Sequence, residues 1–384
     1  MWRLFGDPCR IFKTVTVETM NRRQLLAGGG ALAVVGAGVT YCGLQQMGSM
    51  DEYNASVAAT RAALSERPQI KDFIRYATLA ASGHNTQPWR FRIGAGRIDI
   101  LPDFSRRTPV VDPDDHHVFV SLGCAAENLT LAAAARGHRG EIGFDSANDG
   151  SVVFAFADGP RAGSTLFDAI PKRQSTRADY DGKPVSAADL QSLSRAAAIP
   201  GVDLILITDR PQIDRVRDLV VAGNSEQIAD AAFLRELKNW LRFSSRDAIQ
   251  TGDGLFSASG GSPALPAWLG PRLFDWVFKA DAENDKYARQ IASSAGIGVF
   301  VSQVDDRGHW VLAGRACQRF ALQATALGLK CAFINQPVEV TKLRPELATL
   351  VGMPGRRPDI VMRFGYGPLL PYSARRAAER TMLL

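Results

Sequence analysis

The apolar positions of this chain recur with two different periods, which together predict a mixture of helices and strands. Helical spacing predicts helices over residues 51–64, 73–81 and 118–135, and a long helical stretch that ends near residue 249. Alternating or continuously apolar segments predict strands at residues 89–93, 97–101, 202–208, 293–303, 332–334 and 361–365. Helices and strands therefore share the chain from residue 51 to its end.

A short polar loop connects the second of these helices to the first strand. Residues 81–91 read A-S-G-H-N-T-Q-P-W-R-F and place an imidazole, His84, between small residues and the carboxamides of Asn85 and Gln87. Pro88 disfavours a helical backbone at the residue before it, which predicts an extended Gln87. The loop suits a flat polar ligand; alternatively, its amides only satisfy the nearby backbone.

The same loop resembles a motif of the FMN-dependent nitroreductase family, in its Acg-like branch. Residues 82–89, S-G-H-N-T-Q-P-W, match the core of the family loop P-S-S-x-N-x-Q-P-W, while Ala81 replaces the proline and a glycine replaces the second serine. In that family the loop lies along the isoalloxazine and ribityl parts of the flavin. The resemblance implies FMN as the cofactor, with Ser82, Gly83, Asn85 and Gln87 as residues that contact it.

Residues 173–177, R-Q-S-T-R, resemble the R-x-S-x-R segment of the same family. The resemblance implies that Arg173, Ser175 and Arg177 hold the ribityl chain and the phosphate of FMN. Guanidinium groups pair with phosphate oxygens through two parallel hydrogen bonds, so two arginines that flank a hydroxyl suit an anion. In the family, this segment and the polar loop come from opposite subunits of a dimer.

Two later segments extend the resemblance. Asn335 and Gln336 precede a proline at the place of the family turn whose backbone faces the N5 edge of the flavin. Residues 361–367 resemble the closing strand and its G-Y turn, after which basic residues complete the phosphate site. Arg375 and Arg376 are the basic residues at that place.

Two alanine-rich helical segments of equal length, residues 123–137 and 314–328, each begin and end with glycine. They predict a remote internal duplication, or else they are two unrelated helices. With the resemblance, the duplication implies an α+β, nitroreductase-like fold with halves at residues 51–160 and 161–384, in which one chain imitates the family dimer. Only one composite flavin site is expected, because residues 61–67 and 198–202 show no counterpart of the missing motifs.

Residues 252–270 are rich in glycine, serine and proline and carry a few large apolar side chains. A long segment of this composition inside a compact domain is either functional or mobile. We predict a lid over residues 247–284, with surface disorder as the alternative.

The composition of the 384 residues is that of a folded protein, with 46% hydrophobic and 22% charged residues. The net charge of +6 comes from dispersed basic residues, which argues against nucleic acid and for one small phosphorylated ligand. Outside the first 50 residues the cysteines are Cys124, Cys317 and Cys331, so neither a disulfide framework nor a metal site is expected.

Acidic and histidine residues at positions 112–117 precede a predicted helix. Adjacent histidines do not easily converge on one metal ion, whereas acidic groups suit the start of a helix. A solvated loop that leads into the helix is therefore expected, without a metal.

Residues 1–50 are predicted to be a leader outside the fold. Arg22 and Arg23 precede a short apolar run over residues 25–39, and the pair resembles a twin-arginine (Tat) export signal. A periplasmic location, by way of the Tat translocase, is expected, with cleavage, retention as a membrane anchor and lipidation at Cys42 all open. Met20 and Met1 are both possible starts, and a buried glycine-rich helix is the alternative to a leader.

The resemblance implies a flavin oxidoreductase that passes two electrons to a nitro, quinone or similar acceptor. The electron donor is unknown, and the flavin carries the chemistry without a catalytic side chain. His84 is either a proton donor or a loop histidine bonded to its neighbours. The alternative function is a flavin-binding or flavin-sequestering protein without NAD(P)H-dependent turnover. A single chain with one composite site also allows a monomer.

Overall fold

The computed structural model describes residues 47–383. Residues 1–46 of the predicted leader, with the arginine pair and the apolar run, lie outside the described residues, whereas Ser49 and Met50 already cap and begin the first helix. Among the described residues, one helix is long and apolar enough to span a membrane, and it is buried in the core.

Thirteen α-helices occur among residues 47–383, several of them short. They are α1 (Met50–Thr60), α2 (Ile70–Thr78), α3 (His116–Ala135), α4 (Thr165–Ala169), α5 (Ala187–Ala197), α6 (Arg210–Ala229), α7 (Ala231–Trp240), α8 (Ser245–Thr251), α9 (Gly270–Val277), α10 (Ala280–Ala292), α11 (Arg307–Ala326), α12 (Gln336–Glu339) and α13 (Arg344–Leu350).

The strands of the same residues form three sheets. They are β1 (Trp89–Gly94), β2 (Arg97–Pro102), β3 (His138–Asp145), β4 (Ser151–Asp158), β5 (Val202–Ile207), β6 (Leu241–Arg242), β7 (Leu255–Phe256), β8 (Gly296–Ser302), β9 (Lys330–Phe333), β10 (Pro358–Gly365) and β11 (Met382–Leu383). A five-stranded sheet has the order β11-β1-β2-β4-β3, a four-stranded sheet has the order β5-β8-β10-β9, and β6 pairs with β7.

Most predicted elements are confirmed within a few residues. The largest difference lies after β5, where the single long helical stretch is divided into α6, α7 and α8. Asp230 ends α6 and also caps α7 through its side chain, which accepts the backbone N–H of Ala232. A second N-cap, Ser244, starts α8 by accepting the N–H of Asp247. Capping side chains satisfy the free N–H groups of a new helix, so these residues re-start the helix in new directions.

The two alanine-rich helices α3 and α11 cross at their glycines. A Cβ atom on Gly123 would overlap the carbonyl oxygen of Val311, and a Cβ atom on Gly314 would overlap the carbonyl oxygen of Val120. Each helix thus presents a V-x-x-G segment, and the valine of one meets the glycine of the other. Glycine is required at both positions because the two backbones are in direct contact.

The polar contacts of the two helices repeat this reciprocity. Arg319 donates from Nη1 to Glu127 Oε1 at 2.8 Å, and Gln318 donates from Nε2 to Asn128 Oδ1 at 2.8 Å. If the two glycines are superposed, Glu127 corresponds to Gln318 and Asn128 corresponds to Arg319, so the two hydrogen bonds exchange their partners. Such exchange is the pattern of an isologous, two-fold interface. It supports the predicted duplication.

The boundary between the predicted halves is crossed at the C-terminus. The four-stranded sheet is built only from the second half, residues 161–384, but β11 returns to the first half and pairs in parallel with β1, Met382 beside Phe91. The last residues therefore pack against the strand that follows the polar loop, and they tie the two halves together.

Candidate functional site

A cavity of about 340 Å³ is lined by residues of both predicted halves. Loop residues 81–84 and helix α3 contribute from the first half, and Arg177, α10, β9 and α12 contribute from the second half. The volume is within the range of small-molecule and cofactor sites, roughly 300–1,000 Å³. Five of the residues predicted to contact the flavin line the cavity: Ser82, Gly83, Arg177, Asn335 and Gln336. The neighbouring His84 lines it as well.

The polar loop holds an unusual backbone. His84, Asn85 and Gln87 have φ angles of 47°, 54° and 53°, in the left-handed region that residues with a side chain seldom adopt. Ser82 Oγ accepts the N–H of Gln87 at 3.1 Å and closes the loop on itself. Such strain persists only where surrounding contacts hold it, and it is found often at ligand sites.

The prediction of an extended Gln87 is wrong. Its fully buried side chain donates from Nε2 to the Gly252 carbonyl at 2.8 Å, and its Oε1 accepts the N–H of Arg376 at 2.9 Å. Its own carbonyl accepts the N–H of Trp89 across the proline at 2.9 Å. These tertiary bonds outweigh the local preference set by Pro88, and they place Gln87 between the lid and the C-terminal segment, outside the cavity lining.

Asn85 also holds the framework around the cavity and is not part of its lining. Its Nδ2 donates to the carbonyls of Gly254 and Ala374 at 2.9 and 3.1 Å, and its own carbonyl accepts the N–H of Gly254. The carboxamides of Asn85 and Gln87 therefore satisfy backbone groups, which was the alternative to a ligand-binding loop. Ser82 and Gly83, in contrast, face the cavity. The predicted flavin contacts of all four stay predictions.

We expect Asn85→Ala to lower the free energy of unfolding by about 1–3 kcal/mol, because it removes two buried hydrogen bonds and leaves the Gly254 carbonyl without its side-chain donor. Urea denaturation followed by circular dichroism measures the loss. Ser105→Ala is the matched control, since Ser105 Oγ bonds only the side chain of Asp103 in a partly buried position. Equal stability of Asn85→Ala and the wild type would show that these bonds contribute nothing.

Arg177 is the cation that faces the cavity. Arg363 supports the segment that carries it by donating to the carbonyls of Thr176 and Ala178 at 3.2 and 2.8 Å. Gln290 fixes the backbone by donating to the carbonyl of Arg177 at 3.0 Å. The guanidinium group itself has no hydrogen-bond or ion-pair partner among residues 47–383, and burial lowers its pKa. An anionic ligand would provide the hydrogen-bond acceptor and the opposite charge that this guanidinium group lacks.

Arg173 and Ser175 lie outside the cavity lining. Ser175 forms a β-bridge with Cys331, which attaches the R-x-S-x-R segment to the edge of β9. Arg173 donates from Nη2 to the Leu79 carbonyl at 3.0 Å and is buried, whereas its Nε has no acceptor within the described part of the chain.

Arg173 belongs to a buried cluster with Arg61 and Arg375, which we call the arginine cluster. Burial, and then the charge of Arg173, lowers the pKa of Arg61 to about 9. Burial and the charges of the other two lower the pKa of Arg375 well below its usual value. Between residues 47 and 383 no carboxylate pairs with any of the three, and Arg61 Nε has no acceptor.

The arginine cluster lies beside one end of the cavity. Ser373, which lines the cavity, accepts a hydrogen bond from Arg375 Nη1 through its carbonyl at 3.3 Å. Ser259, which also lines it, donates to the Tyr372 carbonyl, and the Arg61 guanidinium lies 4.1 Å from the centre of the Tyr372 ring. The sequence contained no local signal for Arg61, because its role depends on helix α1 packing beside the second half.

The two predicted C-terminal arginines separate in the structure. Arg375 caps the end of α2, with Nε donating to the Thr78 carbonyl at 2.8 Å and Nη2 to the Ala80 carbonyl at 3.1 Å. Arg376 lies away from the arginine cluster, where its Nη1 donates to the Gln87 carbonyl at 3.0 Å. Only Arg375 is placed to act together with Arg173.

The turn at the end of β9 reaches the cavity. Asn335 Oδ1 accepts the N–H of Val361 at 2.9 Å, which fixes the turn against β10. Gln336 lines the cavity, and its buried Oε1 has no donor among the described residues. The carboxamide of Gln336 can therefore accept a hydrogen bond from a ligand.

The predicted lid supplies much of the cavity wall. Residues 255–262 line it, as do Phe274 and Phe278, whose rings stack at 4.4 Å between centroids. On α7, Phe233 and Leu237 add further apolar surface. The cavity thus combines an apolar, aromatic wall with the polar groups of the loop, the turn and Arg177, which suits a ligand with a flat ring system.

Two histidines, His84 and His117, and two carboxylates, Glu283 and Glu339, also line the cavity. The ring of His84 has no hydrogen-bond partner within residues 47–383, so the prediction that it bonds its neighbours is wrong. Burial lowers its pKa. His117 Nε2 lies 3.5 Å from Glu339 Oε1, and neither residue was singled out as a ligand-facing group from the sequence.

The acidic segment before α3 starts the helix, as predicted, but it is only partly solvated, with Asp114 exposed. Asp112 is buried, and its Oδ2 accepts the N–H groups of His117 and Val118 at 2.9 and 3.3 Å. His116 Nε2 is bonded to Asp359 Oδ1 at 2.9 Å. Ring and carboxylate atoms of Asp112, His116 and His117 come within 4.8 Å of one another, but these bonds to the protein already use them.

The three cysteines outside the leader, Cys124, Cys317 and Cys331, are buried free thiols. Burial raises the pKa of Cys331 to about 12 and raises the pKa of Cys317 well above its usual value. Thiols with raised pKa values are poor nucleophiles, so Cys317 and Cys331 act as small apolar side chains.

The sequence profile of the Nitroreductase family matches residues 170–367, more than half of the chain. The chain belongs to the nitroreductase family. The recognition from the sequence and the α+β, nitroreductase-like fold are confirmed, and the protein is a nitroreductase-like oxidoreductase.

The most similar relatives include two proteins of Mycobacterium tuberculosis. Rv3131 of strain H37Rv, named for an inferred NAD(P)H nitroreductase activity, is 28% identical over 336 residues, 85% of this chain and 94% of its own length. The protein acg of the same strain, with the same kind of name, is 24% identical over 308 residues, 78% of this chain and 89% of its own length.

Solved structures of the family are more distant. A nitroreductase with bound FMN from Desulfitobacterium hafniense has a TM-score of 0.37 and 14% identity, covering 58% of this chain and all of that chain. The FMN-dependent nitroreductase NfnB from Mycobacterium smegmatis, solved with NADPH, has a TM-score of 0.35 and 13% identity, covering 53% of this chain and 87% of that chain.

Proposed function

We propose that this nitroreductase family member binds FMN in the cavity between its halves and transfers two electrons from NAD(P)H to a nitro, quinone or similar acceptor. One observation carries the proposal: the loop of the first half and the R-x-S-x-R segment of the second half meet at one cavity, which Ser82, Gly83 and Arg177 line together. In the family, the corresponding motifs hold one flavin.

The residues present fit the cofactor. An unpaired buried charge is costly, and the arginine cluster holds three guanidinium groups without a carboxylate. A phosphate beside the cluster would accept hydrogen bonds from the orphaned Nε atoms of Arg61 and Arg173. Arg177 and the Gln336 carboxamide supply a free donor and a free acceptor for the polar parts of the ligand.

FMN, when bound, supplies the redox chemistry, since it accepts and releases electron pairs. The protein binds and orients it. The arginines neutralise the phosphate, and the turn at Asn335 fixes backbone groups beside the cavity. The aromatic lid excludes water, which strengthens every electrostatic contact inside.

The reciprocal contacts of α3 and α11 support a single site in a chain that imitates a dimer. We expect the purified protein to carry about one non-covalent FMN per chain, since the two motifs meet at one cavity among residues 47–383. Heat release and chromatography measure the identity and amount of the flavin. Two flavins per chain, FAD, or no binding by correctly folded protein would contradict the proposal.

A flavin-sequestering protein is the second candidate, and the lid is the observation that favours it. Residues 255–262, Phe274 and Phe278 line the cavity and limit access to whatever it holds. Anaerobic titration with NADPH, NADH and dithionite, followed by flavin absorbance, separates the two candidates. Reduction by either nucleotide supports the enzyme, and reduction by dithionite alone supports sequestration.

We further propose that the chain is exported through the Tat pathway. The arginine pair and apolar run of its first 50 residues support this, and a folded, flavin-loaded protein is what that pathway carries. Replacement of Arg22 and Arg23 by lysine should keep the protein in the cytoplasm, as cell fractionation would show. Unchanged export of that variant would argue for another route.

A further inference from the structure

His117 and Glu339 form an ion pair in the cavity wall for which the proposed function has no role. His117 Nε2 lies 3.5 Å from Glu339 Oε1, and the two side chains are only 11% and 15% exposed. His117 belongs to the first turn of α3, and Glu339 ends the short helix that follows Asn335. The pair therefore joins the core helix of the first half to the ligand-facing turn of the second half.

The surroundings favour the charged form of His117. Burial alone lowers its pKa, but the charge of Asp112 and the hydrogen bond and charge of Glu339 outweigh burial, so the pKa is raised. Arg357 opposes them from the segment before β10. The neighbouring His116 is bonded to Asp359 and lies in edge contact with the His117 ring, 4.9 Å between centroids.

Glu339 is held as a carboxylate by the groups around it. Burial raises its pKa, but the hydrogen bond and charge of His117, the charge of His84 and a hydrogen bond from Gln227 lower it overall. The Gln227 Nε2 donor lies 2.7 Å from Glu339 Oε2. One carboxylate oxygen is thus bonded to Gln227 from α6, and the other faces His117.

The two histidines of the cavity differ in their protonation. Burial lowers the pKa of His84, and Arg177 and His117 lower it further, against the charge of Glu339. The pKa of His117 moves in the opposite direction. His117 therefore stays protonated to a higher pH than His84.

We propose that His117, positioned by Glu339, donates a proton to the acceptor that is reduced in this cavity. The proposal rests on the proposed FMN-dependent oxidoreductase function and extends it to a catalytic side chain. Its substrate class is a quinone, whose oxygen takes up a proton as it is reduced. Glu339 acts as a positioning residue that keeps His117 in its charged form.

The step balances for a quinone that becomes a hydroquinone, which gains two electrons and two protons. Both electrons and one proton come from the reduced flavin, which a nicotinamide nucleotide has reduced beforehand. The second proton comes from His117: an N–H bond breaks, an O–H bond forms on the quinone oxygen, and the neutral imidazole regains a proton from solvent. General acid catalysis of this kind contributes roughly 10²–10⁴-fold to a rate.

The first test mixes FMN-loaded, dithionite-reduced protein with 2-methyl-1,4-naphthoquinone in an anaerobic stopped-flow instrument over a series of pH values. The wild-type rate should fall as pH rises through the pKa of His117, because the donor form is lost. His117→Gln should lower the rate about 10²–10⁴-fold and remove this dependence. Glu339→Gln should shift the fall to lower pH.

His309→Gln is the matched control. His309 Nδ1 also faces a carboxylate, Asp306 Oδ1 at 2.9 Å, but it lies outside the cavity lining. Its rates and pH dependence should equal those of the wild type. A wild-type pH profile in His117→Gln, or the same loss in His309→Gln, would overturn the proposal.

A second readout needs no turnover. Histidine NMR of the flavin-free protein follows the signal that His117→Gln removes, which should titrate above the ordinary histidine value of about 6.5. In Glu339→Gln the same signal should titrate at lower pH. A His117 pKa at or below about 6.5 would overturn the proposal. If His117→Gln does not fold, the shift of the kinetic pH profile in Glu339→Gln decides, and an unshifted profile would overturn the proposal.

The outcomes also separate this proposal from the proposed function. A folded protein that binds no FMN would refute both. A protein that binds FMN and is reduced by NAD(P)H, but whose oxidation by the quinone does not respond to His117→Gln, would refute only the proton donor.

Discussion

Gly314→Val is expected to lower the free energy of unfolding by about 3 kcal/mol, one of the largest effects of any single substitution in this chain. Any Cβ atom at this position would overlap the carbonyl oxygen of Val120 in helix α3. A backbone carbonyl cannot rotate away as a side chain can, so α3 and α11 must separate. Because these helices form the centre of the fold, the strain reaches the core on both sides.

Urea denaturation followed by circular dichroism measures this loss, and the chain offers two comparisons. Gly123→Val should cost a similar amount, because Gly123 meets the Val311 carbonyl in the reciprocal contact. Gly143→Val, on exposed strand β3 with open space around its Cβ position, should change stability by less than about 0.5 kcal/mol. If Gly314→Val and Gly143→Val had the same free energy of unfolding, α3 and α11 would not be in contact at their glycines.

The central helices α3 and α11 could be predicted from the sequence because the pattern that indicates them lies within each helix. A run of small residues between two glycines is visible in the letters, and close packing follows from the absence of side chains. The division of residues 210–251 into three helices was missed, although its signal was also local. Asp230 and Ser244 are strong N-cap residues, but a continuous apolar pattern concealed the breaks.

The candidate site was predicted unevenly for a physical reason. Ser82, Gly83, Arg177, Asn335 and Gln336 reach the cavity, and each follows from a motif at a helix or strand end. In the polar loop, residues 81–84 line the cavity, whereas Asn85 and Gln87 bond the lid and the C-terminal segment instead. No sequence pattern records which side a loop side chain will take when its φ angle is positive.

Contacts between elements that are distant in the chain could not be predicted from the sequence. Arg61 from α1 meets Arg173 and Arg375 only because three remote segments converge. From the sequence, His117 was considered only together with the adjacent His116, and this adjacency argued against a shared metal ion. The ion pair of His117 with Glu339, more than 200 residues away, has no signal in the sequence. The arginine cluster and the His117–Glu339 pair could therefore be identified only from the structure.

The convergence of these arginines has a consequence for the protein without its cofactor. Among the described residues the three guanidinium groups have no carboxylate partner. Burial lowers the pKa of all three, and the charges of the neighbouring arginines lower the pKa of Arg61 and Arg375 further. A bound anion would remove the repulsion. Affinity for a phosphorylated ligand and stability of the fold should thus be coupled, and added FMN should raise the melting temperature.

The arginine cluster and Arg177 lead to the largest expected effect on binding. Arg173→Met should weaken FMN binding about tenfold to a hundredfold, because a charge-assisted hydrogen bond contributes about 1.5–3 kcal/mol. Riboflavin, which lacks the phosphate, should bind Arg173→Met almost as it binds the wild type. The double variant with Arg177→Met should lose about tenfold to a thousandfold in FMN affinity, since Arg177 faces the cavity without a partner.

Quenching of flavin fluorescence measures both affinities, and Arg217→Met is the control, because Arg217 pairs with Asp214 and Asp218 on the surface of α6. Its affinities should match those of the wild type. The stability of flavin-free Arg173→Met should fall little, since the substitution removes one bond to the Leu79 carbonyl but also one of three repelling charges. Equal losses of FMN and riboflavin affinity would place the phosphate elsewhere. A selective loss of FMN affinity would assign the phosphate to the arginine cluster and the rest of the flavin to the cavity that Arg177 lines.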